Sequence, residues 1–195
     1  AVARERLEKS GAGNVFFLEA DAQSASFPSG AADCVFSRFG VMFFADSVAA
    51  FRNLYGALRP DGRLAFVCWR AVAENEWVAT PMAAASRHLP PVPPPDPDAP
   101  GPFAFANPDR VRNILSEAGF RDVALEPVDL EMGGRSLDEA VATLTGVGPL
   151  GNALSQADAA LREKVVSSVR EALAPFETLE GVRLRSAAWI VTARR

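Results

Sequence analysis

Two short apolar runs separated by one amphipathic helix restrict this chain more than any other feature. The first, Asp33-Cys34-Val35-Phe36-Ser37-Arg38-Phe39, has the length of a strand and enough apolar character to be buried on both faces. Between the runs, Asp46 or Ser47 is placed to cap a helix whose inner face is Phe51, Leu54, Tyr55 and Leu58. Pro60-Asp61-Gly62 follows as a turn, and residues 64–69 form the second run. Strand, helix and strand in this rhythm predict a parallel β-α-β unit in an open α/β sheet. Such sheets present ligand sites outside the carboxyl ends of their strands. Ser37 to Gly40, where the first run turns polar, is either the floor of a small-molecule site or a plain exit loop.

Outside this unit the chain reads as follows. A helix over the first nine residues stops at Gly11 and Gly13. Residues 14–20 are rich in β-branched and aromatic side chains and predict a further strand, ending at Asp21-Ala22. Residues 71–89 are alanine-rich and helical in pattern, anchored by Trp77 and Met82. Eight prolines between Pro90 and Pro102 predict an extended connector. Asn107-Pro108 opens another helix, stopped by Gly119, and residues 123–132 form a strand that Pro127 confines to a sheet edge or a bulge. Helices are expected over 136–144 and 158–173, separated by a glycine-rich break at 146–151. The last strand spans 182–193, with Arg194 and Arg195 as a solvated tail.

With 195 residues, 49% hydrophobic composition and a net charge of -4, the chain fits one soluble domain, or one domain with an appendage. Mild acidity gives no footprint for nucleic acid or an anionic membrane. No apolar run is long enough for membrane insertion. Cys34 and Cys68 read as small buried hydrophobes in a reducing cytoplasm, and with one histidine no metal site is expected. The chain begins at Ala1 inside a helical pattern, which predicts a fragment of a longer protein.

The ordered set Asp21-Ala22, Phe27-Pro28, Asp33 to Phe44 and Leu58-Arg59-Pro60-Asp61-Gly62-Arg63-Leu64 resembles the downstream half of class I S-adenosylmethionine-dependent methyltransferases. The nearest group includes the ubiquinone/menaquinone-biosynthesis C-methyltransferases, of the methyltransferase type 11 kind. The match covers residues 1 to about 70 well, and residues 188–193 look like the group's last strand. The resemblance implies a Rossmann-like sheet lacking its first two strands, with helical lid insertions. Residues 1–70 would be the downstream part of the cofactor-binding core and 71–106 a lid and proline-rich connector. Residues 107–195 would complete the core, with a helical insertion at 134–180.

The resemblance further implies S-adenosyl-L-methionine as cofactor and methyl transfer to a small-molecule acceptor. By carry-over, Asp21 accepts from the adenine amine and the Ala22 N–H donates to the ring; the other reading makes Asp21 a cap of the next turn. Ser37, Arg38 and Phe39 would contribute to the cofactor site, Ser37 and Arg38 by backbone contacts to the methionine part. Met42, Phe43 and Phe44 would face the methyl group or pack in the core. His88 is a candidate base only if the acceptor must lose a proton, and the catalytic residues stay unassigned. Trp77, Phe103, Phe105 and the 146–151 break are candidates for a mobile apolar cover, or they pack on one another. The family's glycine-rich loop and the acidic residue of its second strand have no counterpart in the sequence. That departure keeps a rival function in view, a non-catalytic methyltransferase-like binding domain. It also leads to an expectation of weak cofactor binding by residues 1–195. Oligomeric state is not legible.

Overall fold

The computed structural model describes residues 2–91 and 96–195. An open mixed sheet organises it. Strands β1 (Ala32–Arg38), β2 (Leu58–Trp69), β3 (Arg121–Gly134) and β5 (Gly181–Arg194) lie in the order β1-β2-β5-β3, and the two-residue β4 (Glu177–Thr178) pairs with β5. β1 and β2 are parallel, joined by helix α2 (Ser47–Ala57), as the sequence pattern predicts. The β5 strand then runs antiparallel to both of its long neighbours. β3 is therefore an edge strand, which is how Pro127 is accommodated opposite Trp189.

Helix α2 forms where its local signals place it. The Asp46 carboxylate accepts from the Ala49 N–H at 2.9 Å, and Ala50, Phe51 and Leu54 are buried. Helix α4 (Pro108–Glu117) starts on Asn107, whose side chain accepts from the amides of Asp109 and Arg110. It ends at Gly119, where φ is +102° and a Cβ would sit 3.4 Å from the Tyr55 ring. These two helices cover one face of the sheet. Their core joins Phe51, Leu64, Phe66, Phe105, Leu115 and Val191, and aromatic pairs such as Phe51–Phe66 and Tyr55–Phe120 tie it together.

A second core lies in the helices α3 (Glu76–Ala85), α5 (Leu137–Gly146), α6 (Gly148–Ser155) and α7 (Ala159–Leu173). Trp77, Val141, Leu154, Val165, Val169 and the Val182–Leu184 end of β5 meet there. Ser136 and Asp158 cap α5 and α7. The glycine-rich break is shorter than expected, because α6 begins at Gly148 directly after Val147.

Four expectations need correction. Residues 14–20 form no strand: they have no ladder partners, and Phe16 is 91% exposed. Strand propensity is not enough where no neighbouring strand offers hydrogen bonds. β1 is not buried on both faces, since Cys34 is exposed and Phe36 is 68% exposed. Phe36 pairs with Ala65, which pairs with Thr192, so all three point to the face that α2 and α4 leave open. Pro60-Asp61-Gly62 lies inside β2 as a bulge and not as a separate turn: between Ala32 and Cys34 of β1 the register on β2 moves from Leu58 to Arg63. Arg195 is no solvated tail. Its guanidinium lies 4.9 Å over the Tyr55 ring and donates to the carbonyls of Gly56 and Leu58, placing a cation at the carboxyl end of α2.

Of the proline run, residues 92–95 lie outside the described residues. Its last part is anchored: the Gly101 N–H donates to Met42 O at 3.0 Å, and the Arg110 side chain donates to the carbonyls of Ala104 and Asp98. Helix α1 (Val2–Ser10) buries no residue and ends at Gly11, where φ is +67°. No helix among the described residues is long and apolar enough to cross a membrane.

Candidate functional site

Two stretches upstream of α2 are fastened to that helix. The first is a tight turn headed by Asp21. Its carboxylate accepts from the Gln23 N–H at 2.9 Å and from Ser24 Oγ at 3.3 Å, and Ala25 N–H donates to its carbonyl at 2.8 Å. Asn53 of α2 holds this turn from below, its amide donating to Ala22 O at 3.0 Å and Ala25 O at 2.8 Å. Gln23 reaches forward to accept the Asp46 N–H at 2.9 Å, at the cap of the same helix.

The second stretch is the exit of β1. Ser37 is half-buried and Arg38 exposed. At Phe39 the chain turns through φ +55°, a left-handed conformation that a bulky residue rarely takes. Its N–H still donates to Val67 O at 3.0 Å, and its ring stacks on Trp69 with centroids 4.0 Å apart and planes 16° from parallel. Gly40 follows in the space above Ser37, where a Cβ would sit 3.1 Å from Ser37 Oγ. A 3₁₀ turn, Val41–Phe43, then leads to the Asp46 cap.

The donor set on this rim has a specific chemistry. Asp21 keeps an exposed carboxylate with acceptor capacity beyond its local turn. Beside it, the Ala22 N–H donates to no acceptor among the described residues. A carboxylate acceptor next to a free main-chain donor matches the donor-acceptor edge of an adenine, an amine beside a ring nitrogen. Asp21 thus caps its own turn, with its carboxylate left exposed to solvent.

Other candidates are placed elsewhere. Met42 is 1% exposed and packs in the core, while Phe43 is 54% exposed and Phe44 meets Phe51 edge-on at 6.0 Å. His88 Nε2 lies 2.7 Å from Ser168 Oγ, tying the end of α3 to α7. Trp77 and Phe105 are buried core residues, so neither is a free cover. A narrow apolar hollow between α3 and the α5–α6 junction is walled by Trp77, Met82, Leu144 and Leu150 and has no titratable group in its lining. A larger groove, of about 490 Å³, runs over the open sheet face beside Cys34, Arg63, Asp122 and Arg194. It lies toward the amino end of β1, away from the Phe39 exit, and so is separate from the rim described above. No group of three or more His, Cys, Asp or Glu side chains gathers among the described residues.

Gln23, Asn53 and Trp69 carry much of this geometry and were not singled out from sequence as site residues. Asn53 sits between Arg52 and the core residue Leu54, and the sequence gives no sign that its amide faces the Asp21 turn. Asn75 is a fourth. It is fully buried, accepts from the amide of Ala187 and from Trp77 Nε1, and donates to the carbonyls of Ala71 and Ala187.

Comparison with known proteins supplies the context. Residues 1–66 match the family described as a methyltransferase domain. A demethylmenaquinone methyltransferase from Thermus thermophilus is 48% identical over 64 residues, which is 33% of this chain and 29% of that protein. The chain thus spans less than a third of that relative's length. Among solved structures, the YcgJ protein from Bacillus subtilis aligns with all of this chain and 76% of its own, at a TM-score of 0.60 and 17% identity. A phosphoethanolamine N-methyltransferase from Haemonchus contortus, solved with S-adenosylhomocysteine, aligns with the whole chain and 40% of its own length at a TM-score of 0.52 and 19% identity. These structural likenesses show a shared Rossmann-like α/β fold. The sequence match is confined to residues 1–66, which are similar to a methyltransferase domain.

Proposed function

We propose that this chain serves in S-adenosylmethionine-dependent methyl transfer to a small-molecule acceptor, and that it supplies one wall of the cofactor site. The supporting observation is the Asp21–Ala22 edge, an exposed carboxylate beside an unpartnered N–H, on a turn that Asn53 and Gln23 fasten to α2. Asp21 accepts from the exocyclic amine, and Ala22 donates to the ring. Ser37 and Arg38 line the methionine side chiefly through backbone, and Phe39 closes the rim. Bound S-adenosylmethionine supplies an activated methyl on a sulfonium. What remains for the protein is alignment of acceptor and methyl and exclusion of water. His88 is engaged by Ser168, so no base is assigned.

In the same reading residues 1–70 are the downstream part of the cofactor-binding core. Residues 71–106 are a lid and connector, and 107–195 complete the core with a helical insertion at 134–180. The second core packs α3 of the lid against α5, α6 and α7 of the insertion. The two free thiols suit the reducing cytoplasm.

Backbone amide chemical shifts test the site directly, because they register weak binding by a single wall. Adding S-adenosylhomocysteine should move Ala22 and residues 37–40, and Asp21→Ala should remove the response at Ala22. No response at these amides at millimolar ligand rejects the site.

A further inference from the structure

Phe39 is the strained residue of the proposed rim, and what holds it there is a side chain from the next strand. A bulky L-residue in the left-handed region persists only where its surroundings over-determine it. Glycine would remove the cost, yet here the glycine stands one position later, at Gly40. The N–H of Phe39 is fixed by Val67 O at 3.0 Å, but that bond alone leaves the ring free. The ring is fixed by Trp69, the last residue of β2, stacked at 4.0 Å and 16°. Trp69 is braced in turn by Trp77, whose ring lies 4.9 Å away, and Trp77 Nε1 donates to the buried Asn75 Oδ1 at 3.0 Å. Phe39 and Trp69 are both only half-buried, so the stack stands at the rim and not within the core.

The geometry points to Trp69 as a positioning residue that holds Phe39, and with it the 37–40 exit of β1, in the shape the cofactor rim uses. This rests on the methyl-transfer reading for its purpose, but the contact itself can be tested without any ligand. Replacing Trp69 by a side chain that cannot stack frees Phe39 to leave the left-handed region, and the Phe39–Val67 hydrogen bond opens more often. A flat ring at 69 preserves the stack.

The experiment is amide hydrogen exchange on the full chain for wild type, W69A, W69L and W69F. Loss of the aromatic pair should speed exchange at Phe39 by roughly tenfold in W69A and W69L. Exchange at Val169 in α7, in the core against whose edge Trp69 packs, should rise clearly less than exchange at Phe39. W69F should restore most of the protection at Phe39. The far-ultraviolet exciton couplet between Trp69 and Trp77 should vanish in W69F and in W77F, an independent sign that the two tilted indoles are in close contact in solution. If W69A does not fold, the contrast between W69L and W69F decides. Unchanged exchange at Phe39, equal acceleration at Phe39 and Val169, or no rescue by phenylalanine overturns the proposal. Any of these would leave the methyl-transfer reading standing, since that reading depends on the separate response of Ala22 and residues 37–40 to S-adenosylhomocysteine.

Discussion

Asn75 offers the sharpest test of how this molecule is held together. It lies between the end of β2 and α3, with its side chain reaching β5. Its Oδ1 accepts from the Ala187 N–H at 2.9 Å and from Trp77 Nε1 at 3.0 Å. Its Nδ2 donates to Ala71 O at 3.0 Å, Ala187 O at 3.2 Å and Arg70 O at 3.3 Å. Asn75→Ala strips both donors of their acceptor in a region closed to water. Each orphaned donor costs about 1–3 kcal/mol, so the pair predicts a loss of roughly 2–6 kcal/mol. Against a total stability of about 5–15 kcal/mol this is a large share. Asn75→Asp separates the two halves of the interaction. The oxygen acceptor is kept, but a carboxylate would face the carbonyls of Ala71 and Ala187, so the variant should be weak at neutral pH and regain stability in mild acid, where the protonated group donates again. Urea unfolding followed by tryptophan fluorescence reads both variants. At a slope of about 2 kcal/mol/M, a 4 kcal/mol loss lowers the midpoint by about 2 M with the slope unchanged. A loss below about 1 kcal/mol for Asn75→Ala would refute the reasoning, since it would mean that the two donors find other partners.

Two further outcomes follow from the charge and thiol chemistry. The Arg185 guanidinium, hydrogen-bonded to Glu76, holds that carboxyl below its ordinary value of 4.5. The folded state therefore favours the ionised form. Its contribution is present at neutral pH and is lost as pH falls below 4.5 through the folded-state value. Glu76→Gln should flatten the acid limb of the stability profile by a modest amount, because Arg185 is largely exposed; an unchanged acid limb would show the pair to be inert. Burial pushes the Cys68 thiol up to about 12, whereas Cys34 is exposed. An aromatic disulfide reagent at neutral pH should modify Cys34 in the native protein and Cys68 only on unfolding, and two fast thiols would contradict the placement of β2.

The sequence was most informative where a local rule and a core face coincide. Asp46 and Asn107 are small polar caps directly before apolar periodicity and open the helices they predict, and Ser136 and Asp158, where two further helices are expected to begin, cap them as well. The parallel pairing of β1 and β2 follows from the same reading, because a single crossover helix leaves few alternatives. Legibility fails where the outcome depends on a partner. Residues 14–20 have strand composition, but pairing is a property of two segments, and these residues have no ladder in the structure. Cys34 and Phe36 look like core residues in a list and are exposed because helices cover only one side of β1. Arg195 looks like a tail because its acceptors lie about 140 positions away at the end of α2.

The candidate site was half legible for a related reason. A rim that acts through main-chain groups leaves little trace in side-chain chemistry. Ala22 contributes an N–H that any residue but proline would supply, so nothing in its side chain announces the role. What makes that N–H available is the arrangement around it. Gln23 and Asn53 spend their amides on Asp46 and on the carbonyls of Ala22 and Ala25, holding the turn without occupying its outer edge. Asp46 has two functions in that arrangement: its carboxylate caps α2, and its N–H is the anchor for Gln23. The helix read most easily from the sequence is thus the element that fixes the least legible part of the molecule. A substitution that loosens the Asp46 cap should disturb the Asp21 turn and the β1 exit together, because both are fastened to the same helix end.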